Sequence, residues 1–270
     1  MKIRGIEVDP NDFFAQTKRF RVYLGNSDKD GPVILKVAKT FDDNDVLNED
    51  AATFTRLAAN SQEIDEYETS LGGGNRSRFD LLFASLLSTF VEASQGDRRI
   101  NVYRVPDTKL SKLLPLSKLK ADYEIDARSC VWMIGRILKF YILFEKDKMD
   151  GKETVARYPD FYPEDFLIGP ERHRVIYYNY SGGEDDSIAD GHIKAIAKFF
   201  LEWIVVNDEA EQRLYNLLKD FSEHGRSEFY DAHSNLYALA SELWGRGVYY
   251  PFTYRVRGTI AWQKQKEEEK

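Results

Sequence analysis

Cysteine is nearly missing from this sequence. Cys130 is the one thiol among 270 residues, so no internal disulfide can form, and a reducing, cytoplasmic setting is the expectation. Positive charge is also in deficit: 38 Lys and Arg against 45 Asp and Glu leave a formal net charge of −7. A general nucleic-acid binder needs a basic surface to neutralise phosphates, so nucleic acid is not an expected partner. Long apolar runs are lacking as well. The greasiest stretches, 81–87, 131–144 and 196–206, are short or broken by polar residues, whereas a membrane span needs about 20 apolar residues. No membrane association is expected, and MKIRGIEVDPNDFF lacks the apolar core of a signal peptide. The four histidines, His173, His192, His224 and His233, show no metal-ligand spacing and no H-E-x-x-H. His173 is expected to be solvated in a polar turn. Gly72-Gly73-Gly74-Asn75 lacks the G-K-[ST] of a phosphate-binding loop and reads as a turn.

What remains is a chain with 43% hydrophobic residues, too apolar for disorder and long enough for one large domain or two lobes. The first hundred residues read as strands with one helix. Arg19–Leu24 and Val33–Val37 are β-branched and aromatic runs around the turn Gly25–Gly31, the pattern of a hairpin. Asp45 is expected to cap a helix with Val46, Leu47, Ala51, Phe54 and Leu57 along one face. Two further strands, part of Leu81–Val91 and Arg99–Val105, flank a turn at Gly96. Beyond Pro106 the pattern becomes helical. Asp126 is a good N-cap for a helix with an apolar stripe from Val131 to Ile142, and Cys130 on it reads as a buried structural thiol. Two short strands, Phe166–Ile168 and Val175–Tyr178, precede helices at Ile193–Val206, Glu209–Phe221 and Asp231–Trp244. The expected boundaries are 1–104 for an antiparallel sheet plus one helix, 105–262 for a helical part, and 263–270 for a charged tail.

Three stretches in order carry a resemblance. Val33-Ile34-Leu35-Lys36 resembles the V-A-I-K strand of protein kinases, whose lysine reaches the α- and β-phosphates of ATP, and Glu49 on the next helix resembles the carboxylate that orients it. Tyr158-Pro159-Asp160-Phe161-Tyr162-Pro163-Glu164-Asp165 is similar to the catalytic loop of kinases and aminoglycoside-phosphotransferase-like enzymes. Asp160 falls at the place of the catalytic base and Asp165 at that of the metal-binding asparagine. Val175-Ile176-Tyr177-Tyr178-Asn179-Tyr180-Ser181 looks like the strand running into Asp-Phe-Gly, with Asn179 at the metal-binding aspartate. From about Arg19 to Phe252 the chain resembles small bacterial protein-kinase-like proteins. This resemblance implies an α+β, bilobal protein-kinase-like fold, with a strand-rich N-lobe, a helical C-lobe and a nucleotide cleft near Arg104-Val105-Pro106. Lys36, Glu49, Asp160, Asp165 and Asn179 would then converge on one crevice.

The departures from the family pattern weigh on function. The metal ligands are exchanged, Asp165 for asparagine and Asn179 for aspartate, so ATP and Mg²⁺ are expected to bind weakly or not at all. Tyr158 replaces the loop histidine, and Ser181 replaces a glycine. No G-x-G-x-x-G precedes Lys36, and the acidic run Glu184-Asp185-Asp186 would repel phosphates. No Ala-Pro-Glu follows, so peptide phosphorylation is not expected. The leading expectation is a pseudokinase, a regulatory or scaffolding module with a protein partner. The alternative is an atypical phosphotransferase or nucleotidyltransferase acting on a small molecule with Asp160 as base. A third reading is an unrelated α+β domain. The sequence leaves the oligomeric state open.

Overall fold

The structure is a computed structural model that describes residues 2–72, 77–105, 113–149, 159–170, 173–180, 189–246 and 250–264. The readings placed on Gly73–Asn75, Pro106, Tyr158, Ser181, Glu184–Asp186 and most of the C-terminal tail lie outside the described residues. The chain divides into two compact units, Met1–Leu113 with Tyr178–Gly182, and Leu114–Tyr177 with Gly183–Lys270. The boundary expected at 104/105 is thus at 113/114, and a short segment from much later in the chain rejoins the first unit.

In the first unit six strands form an antiparallel sheet: β1 (Lys2–Ile3), β2 (Ile6–Gln16), β3 (Phe20–Ser27), β4 (Gly31–Ala38), β5 (Ser85–Glu92) and β6 (Arg98–Arg104). Their spatial order is β1-β2-β3-β4-β6-β5. The β3–β4 hairpin is the expected one. Its turn is tightened by Ser27, whose hydroxyl oxygen accepts the N–H groups of Lys29 and Asp30, and Gly31 supplies a φ of 72°. Strands β1 and β2 were not expected. Because side chains alternate across a strand, Val33, Leu35 and Val37 face a core shared with Ile6, Val8, Ile100 and Val102. Ile34, Lys36 and Ala38 therefore take the opposite face.

Helix α1 (Asn44–Ser70) covers that face. Its start differs from expectation. Thr40 and Asp43 form a capping box around the short turn Phe41–Asp43, Asp43 occupies the N-cap position, and Asp45 lies inside the first turn. Leu47, Ala51, Phe54 and Leu57 are buried at 6% exposure or less, and burying each large apolar side chain contributes about 1.5–3 kcal/mol.

The second unit starts with β7 (Leu114–Pro115), α2 (Leu116–Asp122) and β8 (Tyr123–Ile125). Helix α3 (Ala127–Met149) follows, its N-terminus capped as expected: Asp126 Oδ1 accepts the Ser129 N–H at 2.9 Å. Cys130 is buried at 0% exposure. Strands β9 (Phe166–Gly169) and β10 (Arg174–Tyr177) form an antiparallel hairpin with β7 alongside β9. Helices α4 (Ala189–Leu201), α5 (Glu209–His224) and α6 (Phe229–Trp244) come next, then β11 (Thr253–Val256) and β12 (Gln263–Lys264). His173, expected in solvent, is instead half-buried and stacked on Trp132 at 4.9 Å, because the indole offers a flat apolar face.

Candidate functional site

Lys36 sits on β4, the strand flanked by β3 and β6, directly opposite Val22 and Asn101. The pleat turns its side chain toward α1. There Nζ meets Asp50 Oδ1 at 2.5 Å, and neither side chain has any exposure to solvent. The Tyr103 and Phe54 rings wall the ammonium at 4.6 and 4.8 Å from their centroids. Glu49, expected as the partner of Lys36, is exposed. At 100° per residue it falls on the far side of α1 from Leu47, Phe54 and Leu57, whereas Asp50 lies within their stripe. The carboxylate that meets Lys36 is thus the neighbour of the one expected.

Burying a charged pair costs several kcal/mol per ion unless further hydrogen bonds satisfy it. Asp50 has them. Its Oδ1 accepts the Tyr180 backbone N–H at 3.2 Å as well as the lysine. Its Oδ2 accepts the Asn101 side-chain N–H at 3.0 Å and the Tyr103 hydroxyl. Asn101 is fixed in turn, donating to the Leu47 carbonyl at 2.7 Å and accepting from the Thr89 hydroxyl at 2.7 Å. Burial foremost, then the Asp50 charge and its hydrogen bond, hold the Tyr103 hydroxyl well above the usual phenol range, so it remains a donor. Asn179 lies one residue before Tyr180 in the same unit and is 5% exposed. Tyr178 packs edge-on against Phe14. Lys36 and the segment around Asn179 are therefore brought together through Asp50, a residue that sequence reading missed.

The turn between β2 and β3 spends its own donors. Thr17 N–H bonds the Phe20 carbonyl at 2.9 Å, and Thr17 Oγ1 accepts the N–H groups of Arg19 and Phe20 at 3.2 and 3.1 Å. Lys39 Nζ donates to the Thr17 carbonyl at 2.6 Å, and the Arg19 guanidinium is tied to Asp43 and Asp45.

Asp160 and Asp165 belong to the second unit. Asp165 is 3% exposed, and its N–H bonds the Tyr162 carbonyl at 3.0 Å in the turn Pro163–Asp165. Asp160 is half-buried, with the Tyr162 hydroxyl at 3.5 Å from Oδ2. The loop is held from beneath through the Pro159 carbonyl, which accepts the Tyr141 hydroxyl at 3.0 Å and lies 3.0 Å from His192 Nε2. That contact places the imidazole proton on Nε2. Tyr141 stacks on Phe229 of α6 at 4.8 Å, while His192 comes from α4 and is 4% exposed. Burial, with the Asp165 and Asp160 carboxylates adding to it, pushes the Tyr141 hydroxyl well above the phenol range, so it too remains a donor. Neither anchor was anticipated: Tyr141 read as part of the apolar stripe of α3, and His192 as one of four histidines without metal-ligand spacing. Asp160 is thus partly open to solvent, whereas Asp165 is enclosed.

No family model and no curated protein matches this chain. Solved structures do. The kinase domain of Mycobacterium tuberculosis PknI aligns over 88% of this chain and 98% of its own, with a TM-score of 0.51 and 10% identity. The pseudokinase domain of BIR2, an immune regulator of the RLK/Pelle family, aligns over 89% and 82%, with a TM-score of 0.53 and 12% identity. The apo structure of another pseudokinase aligns over 86% and 91%, with a TM-score of 0.52 and 8% identity. The chain has the protein-kinase fold, with a strand-rich N-terminal lobe and a helical C-terminal lobe. Among the described residues, no helix is long and apolar enough to cross a membrane.

Proposed function

We propose that this chain, built on the protein-kinase fold, acts as a pseudokinase: a regulatory or scaffolding module that engages a protein partner and keeps its signature lysine away from nucleotide. One observation carries the reading. Lys36 is 0% exposed and walled by the Phe54 and Tyr103 rings, and the Asp50 carboxylate that holds it is itself locked by Tyr103, Asn101 and the Tyr180 N–H. In a kinase this lysine pairs with the α- and β-phosphates of ATP. A kinase lysine keeps its helix carboxylate while it does so; here the side chain has no exposure to solvent, and a phosphate would have to displace the Phe54 and Tyr103 rings that wall its ammonium.

Two further features support the reading. Kinases cover the phosphates with a glycine-rich loop whose freedom lets backbone approach the ligand. The three hairpin turns ahead of Lys36 carry no G-x-G-x-x-G, and the N–H groups of Thr17, Arg19 and Phe20 are consumed internally. The exchange of Asp165 and Asn179 leaves a neutral carboxamide in the first unit where a kinase supplies a charged metal ligand, so the residues present fit Mg·ATP poorly.

The test is thermal. A nucleotide at one hundred times its Kd would stabilise by about 2.7 kcal/mol, raising Tm by roughly 2–4 °C per kcal/mol in a chain of this size. We expect no shift with ATP, ADP or GTP at millimolar concentration with Mg²⁺. A shift of several degrees that Lys36→Met removes would overturn the sealed-lysine reading. Phosphate release or transfer that Asp160→Ala abolishes would establish the small-molecule phosphotransferase instead.

A further inference from the structure

The first turns of α3, the end of α6, His173 and the chain at Tyr250 line a half-open pocket of about 440 Å³ within the second unit, a volume typical of small-molecule sites. Its walls are aromatic and basic. Trp132, Tyr237, Trp244 and Tyr250 supply the rings, and Arg128, Arg246 and His173 supply the cations or potential cations. Among the described residues no Asp or Glu lines it, although the chain as a whole carries a net charge of −7. The Arg128 guanidinium is held between two rings, 4.5 Å from the Tyr250 centroid and 5.3 Å from that of Trp244. It is half-buried, and among the described residues it makes no ion pair or hydrogen bond. Arg246, exposed on the same wall, makes none either among the described residues. Asp126, two residues before Arg128, is not part of the lining and accepts the Ser129 N–H at 2.9 Å. A second sign is independent of charge: the Trp132 Nε1–H is buried and has no hydrogen-bond partner among the described residues. Native proteins rarely leave a buried donor or a partly desolvated guanidinium unanswered.

We propose that this cavity binds a small planar aromatic anion, a ring system bearing one carboxylate or phosphate. The ring would lie among the Trp132, Trp244 and Tyr250 side chains, which favour stacked or edge-on aromatic contacts. The oxyanion would take the Arg128 fork, whose planar donors match carboxylate or phosphate oxygens two at a time, with Arg246 adding charge at the rim. A neutral aromatic would fill the space yet leave the guanidinium unanswered; a bare inorganic anion would do the reverse. The site uses none of Lys36, Asp50, Asp160 or Asp165, so it stands whether or not the pseudokinase reading does.

The experiment follows the indole N–H signals of the four tryptophans by NMR on the isotope-labelled full chain. The probes are naphthoate, naphthyl phosphate, the neutral naphthylmethanol, and inorganic phosphate. The Trp132 and Trp244 signals should move saturably with naphthoate, naphthyl phosphate or both, and the stronger of the two identifies the head group. Trp203, whose N–H is held by the Tyr123 carbonyl at 2.9 Å, should not move. The neutral probe and inorganic phosphate should each bind at least about tenfold more weakly, and Arg128→Gln should cost the aryl anion about tenfold. The exposed Arg246→Ala serves as a second variant that leaves folding untouched, with a loss of a few fold expected. No saturable movement of Trp132 and Trp244, equal binding of the neutral probe, or undiminished binding in both arginine variants would overturn the proposal.

Discussion

Removing the Asp50 carboxylate while keeping Lys36 would strand an ammonium at zero exposure. Truncating one partner of a buried ion pair costs about 3–5 kcal/mol, so Asp50→Ala should lower the urea midpoint severely. Glu49→Ala, at an exposed position one residue earlier, should stay within about 0.5 kcal/mol. Equal losses for the two variants would show that the pair does not form in solution. Lys36→Met with Asp50→Leu should cost less than the sum of the single changes, since the two side chains are in direct contact. The choice between residues 49 and 50 was legible. Order along the chain placed a carboxylate after the lysine strand, but helical periodicity puts position 50 in the Leu47–Phe54–Leu57 stripe and position 49 outside it. Cys130 gives a complementary check. Burial foremost, then the Asp126 charge, raises its thiol well above the ordinary range. Modification by a thiol reagent should therefore be slow in the native chain and track unfolding; immediate stoichiometric labelling would contradict the burial.

Helix ends are where the elements are held most specifically. Asp208 caps α5 by accepting the Glu211 N–H at 2.7 Å, and Asp208→Ala should cost about 0.5–2 kcal/mol. At the other end of that helix Gly225 adopts a φ of 62°, and a Cβ there would lie 1.8 Å from Asp190 Oδ1 on α4. Gly225→Ala should cost more than the cap does, because backbone strain and overlap combine, each about 1–3 kcal/mol. Guanidinium unfolding of the two variants ranks them, and the reverse order would refute the geometry. The elements most readable from sequence were those with clean periodicity: the β3–β4 hairpin, α3 with its Asp126 cap, and α5. Strand β2 was hidden because Asp9, Pro10, Asn11 and Asp12 interrupt its alternation, and its pairing with β3 shifts register between Val8 and Phe13. The start of α1 was readable too, since Thr40 and Asp43 have the spacing of a capping box, which places Asp45 inside the first turn rather than at its cap.

For the molecule as a whole, stability should depend on acid through His233. Burial, with Lys139 and Arg136 nearby, lowers its folded-state pKa from 6.5 to about 4. The unfolded chain takes up this proton as pH falls through 6.5, while the native state resists it until about 4. The stability this group supplies is thus complete above 6.5 and is progressively lost toward about 4. His233→Gln should flatten the denaturation midpoint across that window, and an unchanged slope would remove His233 as the cause. Two lobes were readable because strand-rich and helix-rich halves follow one another; the kinase-like character was implied by the resemblance of the stretches around Lys36, Asp160 and Asn179. The return of Tyr178–Gly182 to the first unit was not, because it depends on a backbone N–H that any residue could provide.

That return has a consequence for how the protein is made. Tyr180 and Asp50 are 130 positions apart, so at about 5–20 residues per second a ribosome needs roughly 7–26 s to supply the last donor after Asp50 appears. Once Asn101 and Tyr103 have also been made, a first unit that folds on the ribosome would hold its charged pair one hydrogen bond short of complete until Tyr180 arrives. A gene fragment ending at residue 113 would be left in that state for good, and a free-standing first unit would need the 178–182 stretch supplied in trans or spliced onto its end.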